Sequence, residues 1–549
     1  MRPVELQLQH LPADALGLSK IARTALAQRP HPAGLPGMLV PAQLDHIPRL
    51  DQSFDGDARL ELQQLLEAKL AAFEPHVAVR DNLAQLTHPE AALVIAGQQP
   101  AFLGGPLYNI YKVISAIRLA QELSERWGVP VLPAFWNHAD DHDIAEVHHL
   151  WVQTQSMELR KVGLAGESSG RAPLSSIQFD LEKHRLGATE EILSQGIPNY
   201  EHRDAAIELF MPRAGESFSN AFTRVMLELF GEHGLIVLEP DWIRAPLSRA
   251  LAEVVSSDVA GGLRRGAAEL QAAGSKVAIK AEEAALVFHT IDGERNALRL
   301  AEDGFRYDAE AGSRTNSELA AEIIQSPKDY SAGALLRPIV QDKALPSVAY
   351  VGGWGELAYH AQLPSLRAQA GVRTTAFVPR LSATILEPAM LRSLDKLGLT
   401  AAQALALRGE VSVEESSQEE SPIAAELNQI AQATKAKILG QKALLGEADR
   451  NMAPQLKKVA SQIQQTIAKL ADKLERLHAN AQGSQKRHAR RVQHGLFPRG
   501  KPQERVRGPL EICAQFGNQW IADLIREVEP LPTEHLLVQI NEPEPSHEA

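Results

Sequence analysis

Five short apolar runs constrain the fold of this chain most strongly, because each is too short for a helix and too apolar for a loop. They read ALVIAG (92–97), VPVLPAFW (129–136), GLIVLEP (234–240), SVAYVGG (347–353) and TTAFVP (374–379). Stretches with helical periodicity lie between them, notably 107–127, 217–233 and 355–370. Apolar strands that alternate with amphipathic helices are typical of a parallel sheet. The sequence therefore predicts an α/β core.

Two stretches interrupt this alternation, at about 151–215 and 275–345. They contain short alternating pieces such as SSIQFDLEKH and NALRLAEDGFRYD, and we interpret them as insertions that decorate the sheet. The first 90 residues or so read as helical with proline-rich breaks. Together these parts define a predicted core domain over residues 1–385.

The C-terminal third has a different character. EVSVEESSQEES (410–421) is acidic and Ser-rich, as in a solvated linker or a helix start. Two amphipathic stretches follow, separated by GEADRNMAP, and they predict an antiparallel helical coiled coil within a domain over 386–505. The apolar stripe of each stretch is narrow, which suits either pairing with a second chain or packing on the core. The last segment, 506–549, is expected to pack on the core. The apolar stripes comprise Ile423, Leu427, Ile430 and Ile438, then Leu456, Val459, Ile463, Ile467, Leu470, Leu474 and Leu477.

Composition narrows the class of protein. The net charge is -12, which argues against a general nucleic-acid binder. The single cysteine, Cys513, excludes an intrachain disulfide and a multi-cysteine zinc site. No run approaches the roughly 18 apolar residues of a membrane span, and the N-terminus has no basic region followed by an apolar stretch. We therefore expect a soluble, cytoplasmic protein that binds neither nucleic acid nor membrane.

Polar clusters follow four of the predicted strands. They read GQQPAFLGGP, NHADDHDIAE, EPDW and GGWGE. In an open parallel sheet, the carboxyl ends of the strands form the ligand crevice. The four clusters are therefore expected to share one site.

The first cluster contains neither a Walker loop nor a dinucleotide-binding fingerprint. Its glycines can still let the backbone approach a ligand closely. The helix that starts at Leu107 and Tyr108 would present free N–H groups to an anion, and Lys112 lies one turn further on. The other interpretation is a tight strand–helix turn with Lys112 in water.

The second cluster is dense in ionisable side chains, with Asp140, Asp141, His142, Asp143 and Glu146 in one short segment. Three interpretations stay open. The cluster could be a metal site built from histidine and carboxylates. It could bind a substrate ammonium, with His142 as acid or base. It could also be a solvated loop.

The cluster GGWGELAYHAQL repeats the design of the first loop, with glycines passing the chain over a strand end. Glu356 follows on a predicted helix, and Tyr359 and Gln362 share a face of it because they are three residues apart. Tyr359 could equally belong to the core.

Together these segments resemble the bacillithiol-biosynthesis cysteine ligase family, the cysteine-adding enzymes. The resemblance spans nearly the whole chain, and Tyr111 stands where some members have a histidine. It implies a Rossmann-like core with connecting insertions and a helical coiled-coil domain. The motifs that carry it read GQQPAFLGGPLYNIYK, FWNHADDHDIAE, RPIVQD, GGWGELAYHAQL, VPRLSATIL and LFPRGKPQERV.

The resemblance also implies an activity, the joining of cysteine to glucosaminyl-malate through an amide bond. Such a reaction needs carboxyl activation, for which ATP or another nucleotide is the expected cofactor. A homodimer formed through the coiled coil is expected. The basic segment 486–501 is interpreted as a solvated face or an anion site.

These arguments define the candidate site. The candidate catalytic residues are Lys112, Asp141, His142 and Asp143. The candidate substrate-binding residues are Gly97, Gln98, Gln99, Tyr108, Asn109, Asn137, Asp140, Glu146, Glu356, Tyr359 and Gln362. Two other functions remain open, a metal-dependent hydrolase centred on the Asp/His loop and a non-catalytic coiled-coil assembly protein.

Overall fold

The computed structural model describes residues 5–50, 54–154, 159–166, 170–308, 312–408, 410, 422–441 and 452–541. They belong to two compact units, one comprising Met1–Glu387 and Pro498–Ala549, the other Pro388–Phe497. The predicted acidic linker at 411–421 and most of the predicted break between the coiled-coil helices lie outside the described residues.

The first unit holds all the strands of the described residues. In chain order they are β1 (Glu5–Leu11), β2 (Ala92–Gln98), β3 (Val131–Asn137), β4 (His149–Gln153), β5 (Leu159–Gly163), β6 (Ile236–Leu238), β7 (Val287–Ile291), β8 (Glu294–Ala301), β9 (Gly304–Tyr307), β10 (Ser313–Arg314), β11 (Tyr330–Ala332), β12 (Ser347–Gly352), β13 (Ala376–Pro379), β14 (Ser382–Leu386) and β15 (His535–Asn541).

The α-helices are divided between the units, with the fifteenth to the eighteenth in the second unit. In chain order they are α1 (Lys20–Ala27), α2 (Gly56–Leu70), α3 (Val77–Gln85), α4 (Tyr108–Trp127), α5 (Ile144–Val147), α6 (Leu186–Gly196), α7 (Arg203–Phe210), α8 (Phe218–Phe230), α9 (Arg244–Ser256), α10 (Val259–Ala272), α11 (Asn316–Gln325), α12 (Arg337–Ala344), α13 (Trp354–His360), α14 (Pro364–Gln369), α15 (Pro388–Leu397), α16 (Ala401–Ala406), α17 (Pro422–Gly440), α18 (Ala453–Leu496), α19 (Leu510–Phe516) and α20 (Gln519–Glu527).

The five predicted apolar strands form one parallel sheet in the order β13-β12-β2-β3-β6. Every residue of β3 is buried, and so is every residue of β12. Parallel strands covered on both faces require continuous apolar sequence rather than alternation, which is why these runs were recognisable. The predicted α/β fold with a parallel core sheet is confirmed.

The two insertions fold differently from each other. The first carries the hairpin β4–β5 together with α6 and α7, and the second carries an antiparallel sheet in the order β10-β9-β8-β7-β11. The alternating piece SSIQFDLEKH forms no strand among its described residues, and a single bridge joins Gln178 to Ser217. Alternation alone did not form a strand there, because no neighbouring strand supplies a ladder.

The N-terminal segment is not wholly helical. Residues Glu5–Leu11 form β1, which pairs antiparallel with the C-terminal strand β15, and β15 pairs parallel with β14. The leucine alternation in ELQLQHL is a strand signal that the helical interpretation of this segment missed. The first and last strands of the described residues therefore meet in a second, three-stranded sheet.

The helix predicted over 355–370 is two helices, α13 and α14, with Pro364 at the start of the second. Proline is tolerated at the first turn of a helix but not within one, so the chain turns before it. The residues between the two helices no longer share the face of α13, which affects the site described below.

The helical unit ends at Phe497, not at 505 as the sequence suggested. Residues after it return to the first unit, where the Gln503 side chain accepts from the Ile385 amide at 2.8 Å and donates to its carbonyl at 2.9 Å. The amide of Ala383 also donates to Glu504, at 3.2 Å. These bonds tie the segment to β14.

In the second unit, α17 packs along α18 through small residues. Ala431 and Ala460 are buried, and Lys435 Nζ donates to Gln464 Oε1 at 2.7 Å. The larger members of the predicted stripe are less covered, and Ile430 and Leu470 are about half exposed at 46% and 50%. The unit has the predicted coiled-coil character, and part of its apolar stripe remains exposed.

None of the described helices is long and apolar enough to cross a membrane.

Candidate functional site

A cavity of about 1090 Å³ opens at the carboxyl ends of the parallel strands. Its lining includes Gln99 after β2, Asp140 after β3, Pro240 after β6, Glu356 after β12 and Arg380 after β13. All five strands of the sheet therefore contribute, which is the arrangement expected for a ligand crevice. The N-terminal segment, the second insertion and the C-terminal segment close the other sides.

Lys112 lies at the bottom of this cavity and is 2% exposed. Its ammonium donates to Gly97 O at 2.6 Å and to Gln98 Oε1 at 2.8 Å, and lies 2.6 Å from Glu356 Oε2. An ammonium has three donors, so all of them are engaged. Burial lowers the pKa of Lys112, while Glu356 acts against that shift. The interpretation that placed this side chain in water is wrong.

Glu356 follows β12 and is paired with Lys112, which binds the end of β2, so the carboxylate links the ends of these two strands. It accepts from the Tyr350 hydroxyl at 2.6 Å and from the Gly353 amide at 2.8 Å, in addition to Lys112. Burial acts to raise the pKa of Glu356, but Lys112 and the Gly353 amide outweigh it and hold that pKa below its usual value. The carboxylate is therefore charged and fixed in place.

Two carboxylates of the acidic loop after β3 face arginines. Asp140 receives two donors from Arg244, one of them at 3.0 Å. Asp141 accepts from Gln99 Nε2 at 2.7 Å, and its other oxygen lies 3.7 Å from Arg295 Nη1. Both carboxylates line the cavity, so sequence reasoning placed them correctly but did not foresee their partners.

The other ionisable members of this loop point elsewhere. His142 does not line the cavity; its Nδ1 lies 3.1 Å from Arg295 Nη1 and its ring meets the edge of Phe288. Burial and then Arg295 lower the pKa of His142, so the imidazole is neutral. Asp143 and Glu146 are exposed and lie outside the cavity lining. Glu146, within α5, still reaches the rim of the site, because its Oε2 lies 3.5 Å from Nε2 of the cavity-lining Gln99.

Three of the candidate side-chain amides form hydrogen bonds that stabilise the fold, and they do not line the cavity. Asn109 is fully buried and donates to Gly104 O at 3.2 Å, which holds the loop before α4. Gln362 accepts from the Ala278 amide at 2.7 Å and so fixes the start of the second insertion. It lies beyond the end of α13, which is why it does not share a face with Tyr359.

Asn137 is the third of these amides. It is the last residue of β3, opposite Gln98, and its amide nitrogen donates to Thr223 Oγ1 at 3.1 Å and to Glu239 Oε1 at 3.2 Å. Burial raises the pKa of Glu239 to about 7. These groups bind one another beneath the strand ends, away from the cavity.

Two further candidate residues, Gly97 and Tyr108, lie close to other side chains that line the cavity. A Cβ on Gly97 would lie 3.1 Å from His138 Nε2, so glycine lets that ring sit against the strand end. Tyr108 lines the cavity, with the Arg380 guanidinium 5.7 Å from its ring centre. Gly97 itself contributes its carbonyl to Lys112 and does not line the cavity.

Sequence reasoning missed the arginines of the cavity. Arg244, Arg295, Arg337 and Arg380 all line it, and Arg380 is paired with Glu504 at 2.6 Å and 3.0 Å. RPIVQD and VPRLSATIL were recognised as motifs, so Arg337 and Arg380 carried a signal. Arg244 and Arg295 carried none, because they reach the site only through the packing of α9 and β8.

The alternative of a metal-dependent hydrolase required several free histidine and carboxylate ligands in the acidic loop. Within the described residues no three His, Cys, Asp or Glu side chains come together in a way that could hold a metal ion. Asp140 and Asp141 are instead engaged by guanidinium groups and Gln99. The residues present do not fit a metal centre at that loop.

Of the basic segment 486–501, Arg499 lies over the ring of Trp151, 4.1 Å from its centre. This contact belongs to the first unit and uses one face of the guanidinium, while the side chain stays exposed, so both interpretations of the segment stay open.

Two family models match this chain. One, described as "Bacillithiol biosynthesis BshC, N-terminal Rossmann-like domain", matches residues 42–381, and the other, "Bacillithiol biosynthesis BshC, C-terminal coiled-coil domain", matches 383–540. The chain belongs to the BshC family. This confirms the resemblance found in the sequence motifs and the two-part organisation of a Rossmann-like core and a coiled coil.

Curated BshC proteins agree with this assignment. "Putative cysteine ligase BshC" of Koribacter versatilis is 30% identical, over 87% of this chain and 88% of the relative. The protein of the same name from Geobacillus thermodenitrificans is 29% identical, over 87% and 90%. These names agree with the prediction of an enzyme that acts as a ligase in bacillithiol biosynthesis.

A solved structure titled as a putative arginyl-tRNA synthetase from Campylobacter jejuni also matches, over 85% of this chain and 98% of that one. Its TM-score of 0.23 and its 11% identity are too low to carry any argument about this BshC-family chain.

Cys513 of this BshC-family chain should be dispensable for chemistry. It is 1% exposed on α19, and burial raises the pKa of its thiol to about 12, so no thiolate forms near neutral pH. Cys513→Ala should keep full turnover and lose about 1 kcal/mol of stability. Turnover and chemical denaturation of the purified variant test this, and a stably folded variant without turnover would contradict it.

Proposed function

We propose that this protein joins cysteine to glucosaminyl-malate through an amide bond, with nucleotide-dependent activation of the cysteine carboxyl group. Membership of the BshC family and the ligase name of its curated relatives support the reaction class. The observation that carries the proposal is the cavity at the carboxyl ends of the sheet. Its volume of about 1090 Å³ exceeds what one amino acid needs, so two substrates and an activating group have room together.

Paired charges of opposite sign suit the recognition of cysteine as a zwitterion. Arg295 Nη1 and Asp141 Oδ1 are 3.7 Å apart, which is beyond hydrogen-bonding distance. Asp141 Oδ1 accepts from the His142 amide at 2.7 Å, and Arg295 Nη2 donates to Ser331 at 3.2 Å. A carboxylate can accept about four hydrogen bonds and a guanidinium can donate about five, so both groups retain capacity for a ligand. Asp141 would hold the ammonium of cysteine, and Arg295 its carboxylate. Arg244 and Asp140 flank this pair and fix the loop.

Amide formation requires an activated carboxyl group and an amine that has lost its proton. A bound nucleotide would supply the activation by converting the carboxylate oxygen into a leaving group. Lys112 and Glu356 hold the ends of β2 and β12 at a fixed distance, so that the reacting groups meet in a constant geometry. His138 lines the same cavity, and burial keeps its pKa well below the usual value, so its imidazole stays neutral there.

The test is product formation by the purified protein. Cysteine and glucosaminyl-malate are incubated with ATP, GTP, CTP or no nucleotide, and bacillithiol is quantified by mass spectrometry after thiol labelling. We expect product with one nucleotide and none without. Release of the nucleoside monophosphate with pyrophosphate, or of the nucleoside diphosphate with phosphate, then identifies the activated intermediate as an acyl nucleotide or an acyl phosphate. A folded protein that forms no product with any nucleotide would refute the proposal.

We also propose that the helical unit mediates a homodimer. Ile430 and Val459 are 46% and 47% exposed on α17 and α18, although they belong to the apolar stripe of a coiled coil. A second copy of the same helices would cover them.

Ile430→Glu combined with Val459→Glu should convert the dimer to a monomer of 59.9 kDa, as measured by light scattering. Gln465→Glu, at an exposed polar position of α18, is the control and should leave the mass unchanged. A wild-type protein that is already monomeric would contradict the prediction.

A further inference from the structure

Arg337 differs from the other buried arginines that line the cavity. Arg244 is paired with Asp140, Arg295 lies beside Asp141, and Arg380 is paired with Glu504. Arg337 is 8% exposed, and among the described residues it forms no ion pair. A buried charge without a counter-charge is costly unless a ligand supplies one.

The hydrogen bonds of Arg337 reach only neutral groups. Nη1 donates to Gln341 Oε1 at 3.2 Å, Nη2 donates to the Tyr359 hydroxyl at 3.0 Å, and the guanidinium lies 5.6 Å from the centre of the Tyr350 ring. Glu356 attracts Arg337 at longer range. The oxygens of that carboxylate, however, are already bound by other donors.

The positive charge of Arg337 lowers the pKa of a neighbouring histidine. After burial, Arg337 is the next cause of the depressed pKa of His138, which lines the same cavity. His138 therefore stays neutral, and Arg337 is the charged member of this pair. An anion in that space would be attracted by the guanidinium.

Tyr359 provides a second donor at the same place. Its oxygen accepts from Arg337, and its own hydroxyl hydrogen has no acceptor among the described residues. Burial raises the pKa of Tyr359 to about 12, so the hydroxyl keeps its proton and can donate. Both side chains line the cavity.

We propose that Arg337 and Tyr359 form an anion subsite that binds a carboxylate or phosphoryl group of a substrate. This rests on the proposed function, because glucosaminyl-malate carries carboxylates and an activating nucleotide carries phosphates. Arg337 offers the counter-charge and Tyr359 a directed hydrogen bond, as in other charge-assisted anion contacts. The subsite sets specificity and takes no part in proton transfer.

The experiment measures binding, not turnover. Malate and inorganic phosphate are titrated separately into the wild type, Arg337→Gln, Tyr359→Phe and Arg505→Gln by calorimetry. Arg337→Gln should weaken binding roughly ten- to a hundred-fold, and Tyr359→Phe about ten-fold. Arg505 lines the same cavity but is exposed, so Arg505→Gln is the matched control for the loss of one positive charge and should change binding little.

The two probes separate the sources of the anion. Malate binding that depends on Arg337 assigns a carboxylate of glucosaminyl-malate, and phosphate binding that depends on Arg337 assigns a nucleotide phosphate. If Arg337→Gln does not fold, Tyr359→Phe, which removes one oxygen, carries the test. Equal binding by wild type, Arg337→Gln and Tyr359→Phe, or no binding of either probe, overturns the subsite.

Failure of the anion subsite can be distinguished from failure of the proposed reaction. A wild type that binds malate through Arg337 but makes no bacillithiol retains the subsite and refutes the reaction. A wild type that makes bacillithiol but whose variants bind both probes normally retains the reaction and refutes the subsite.

Discussion

Lys112→Met is expected to abolish turnover and to lower the free energy of unfolding by about 3–5 kcal/mol. The substitution keeps most of the side-chain volume but leaves the Glu356 carboxylate buried without its cation. It also leaves Gly97 O and Gln98 Oε1 without a donor, at the point where two strand ends are held together. The desolvation of three oxygen acceptors then goes uncompensated.

A double-mutant cycle separates the structural effect from the catalytic one. Lys112→Met combined with Glu356→Gln removes both charges, so part of the lost stability should return while turnover stays absent. Lys343 and Glu253 form a surface pair at 2.8 Å and provide the control. Lys343→Met should cost less than about 1 kcal/mol.

Denaturant titration of all the variants measures these differences. Equal losses for Lys112→Met and Lys343→Met would show that the buried pair has no special place in the fold.

The parallel sheet was predictable because its signal is local. Each strand is buried on both faces, so a continuous apolar run such as 92–97 marks it without knowledge of its neighbours. The pairing of β1 with β15 joins residues at opposite ends of the chain. Nothing in either segment alone specifies that partner, and the weak alternation of β1 was therefore assigned to a helical segment.

The site was predictable to the extent that strand ends define it. The loops after β2, β3 and β12 do converge, and Lys112, Asp140, Asp141, Glu356 and Tyr359 all line the cavity. Their partners could not be read from the sequence, because the neutralising arginines come from α9 and from the second insertion. A polar residue beside a strand end is also ambiguous: Asn137 and Gln362 bind other buried groups instead of facing the ligand space.

Asp141→Asn is expected to reduce turnover roughly ten- to a hundred-fold, whereas Asp143→Asn should leave it close to that of the wild type. Both residues were predicted to be catalytic, as neighbours in one acidic cluster. The structure separates them: Asp141 lines the cavity, accepts from Gln99 and faces Arg295, while Asp143 is exposed beside α5. The two substitutions are chemically identical and two residues apart, so each is the matched control for the other.

An amide at 141 keeps the shape of the side chain but removes the charge that would hold the cysteine ammonium. The KM for cysteine should therefore rise more than the KM for glucosaminyl-malate. Steady-state kinetics with each substrate varied, together with thermal unfolding of both variants, separate this from a loss of folding. Equal impairment by the two variants would mean that the charge of the whole loop matters. Normal kinetics in Asp141→Asn would remove the acidic loop from cysteine recognition, leaving Asp141 only the role of holding Gln99 and Arg295 in place.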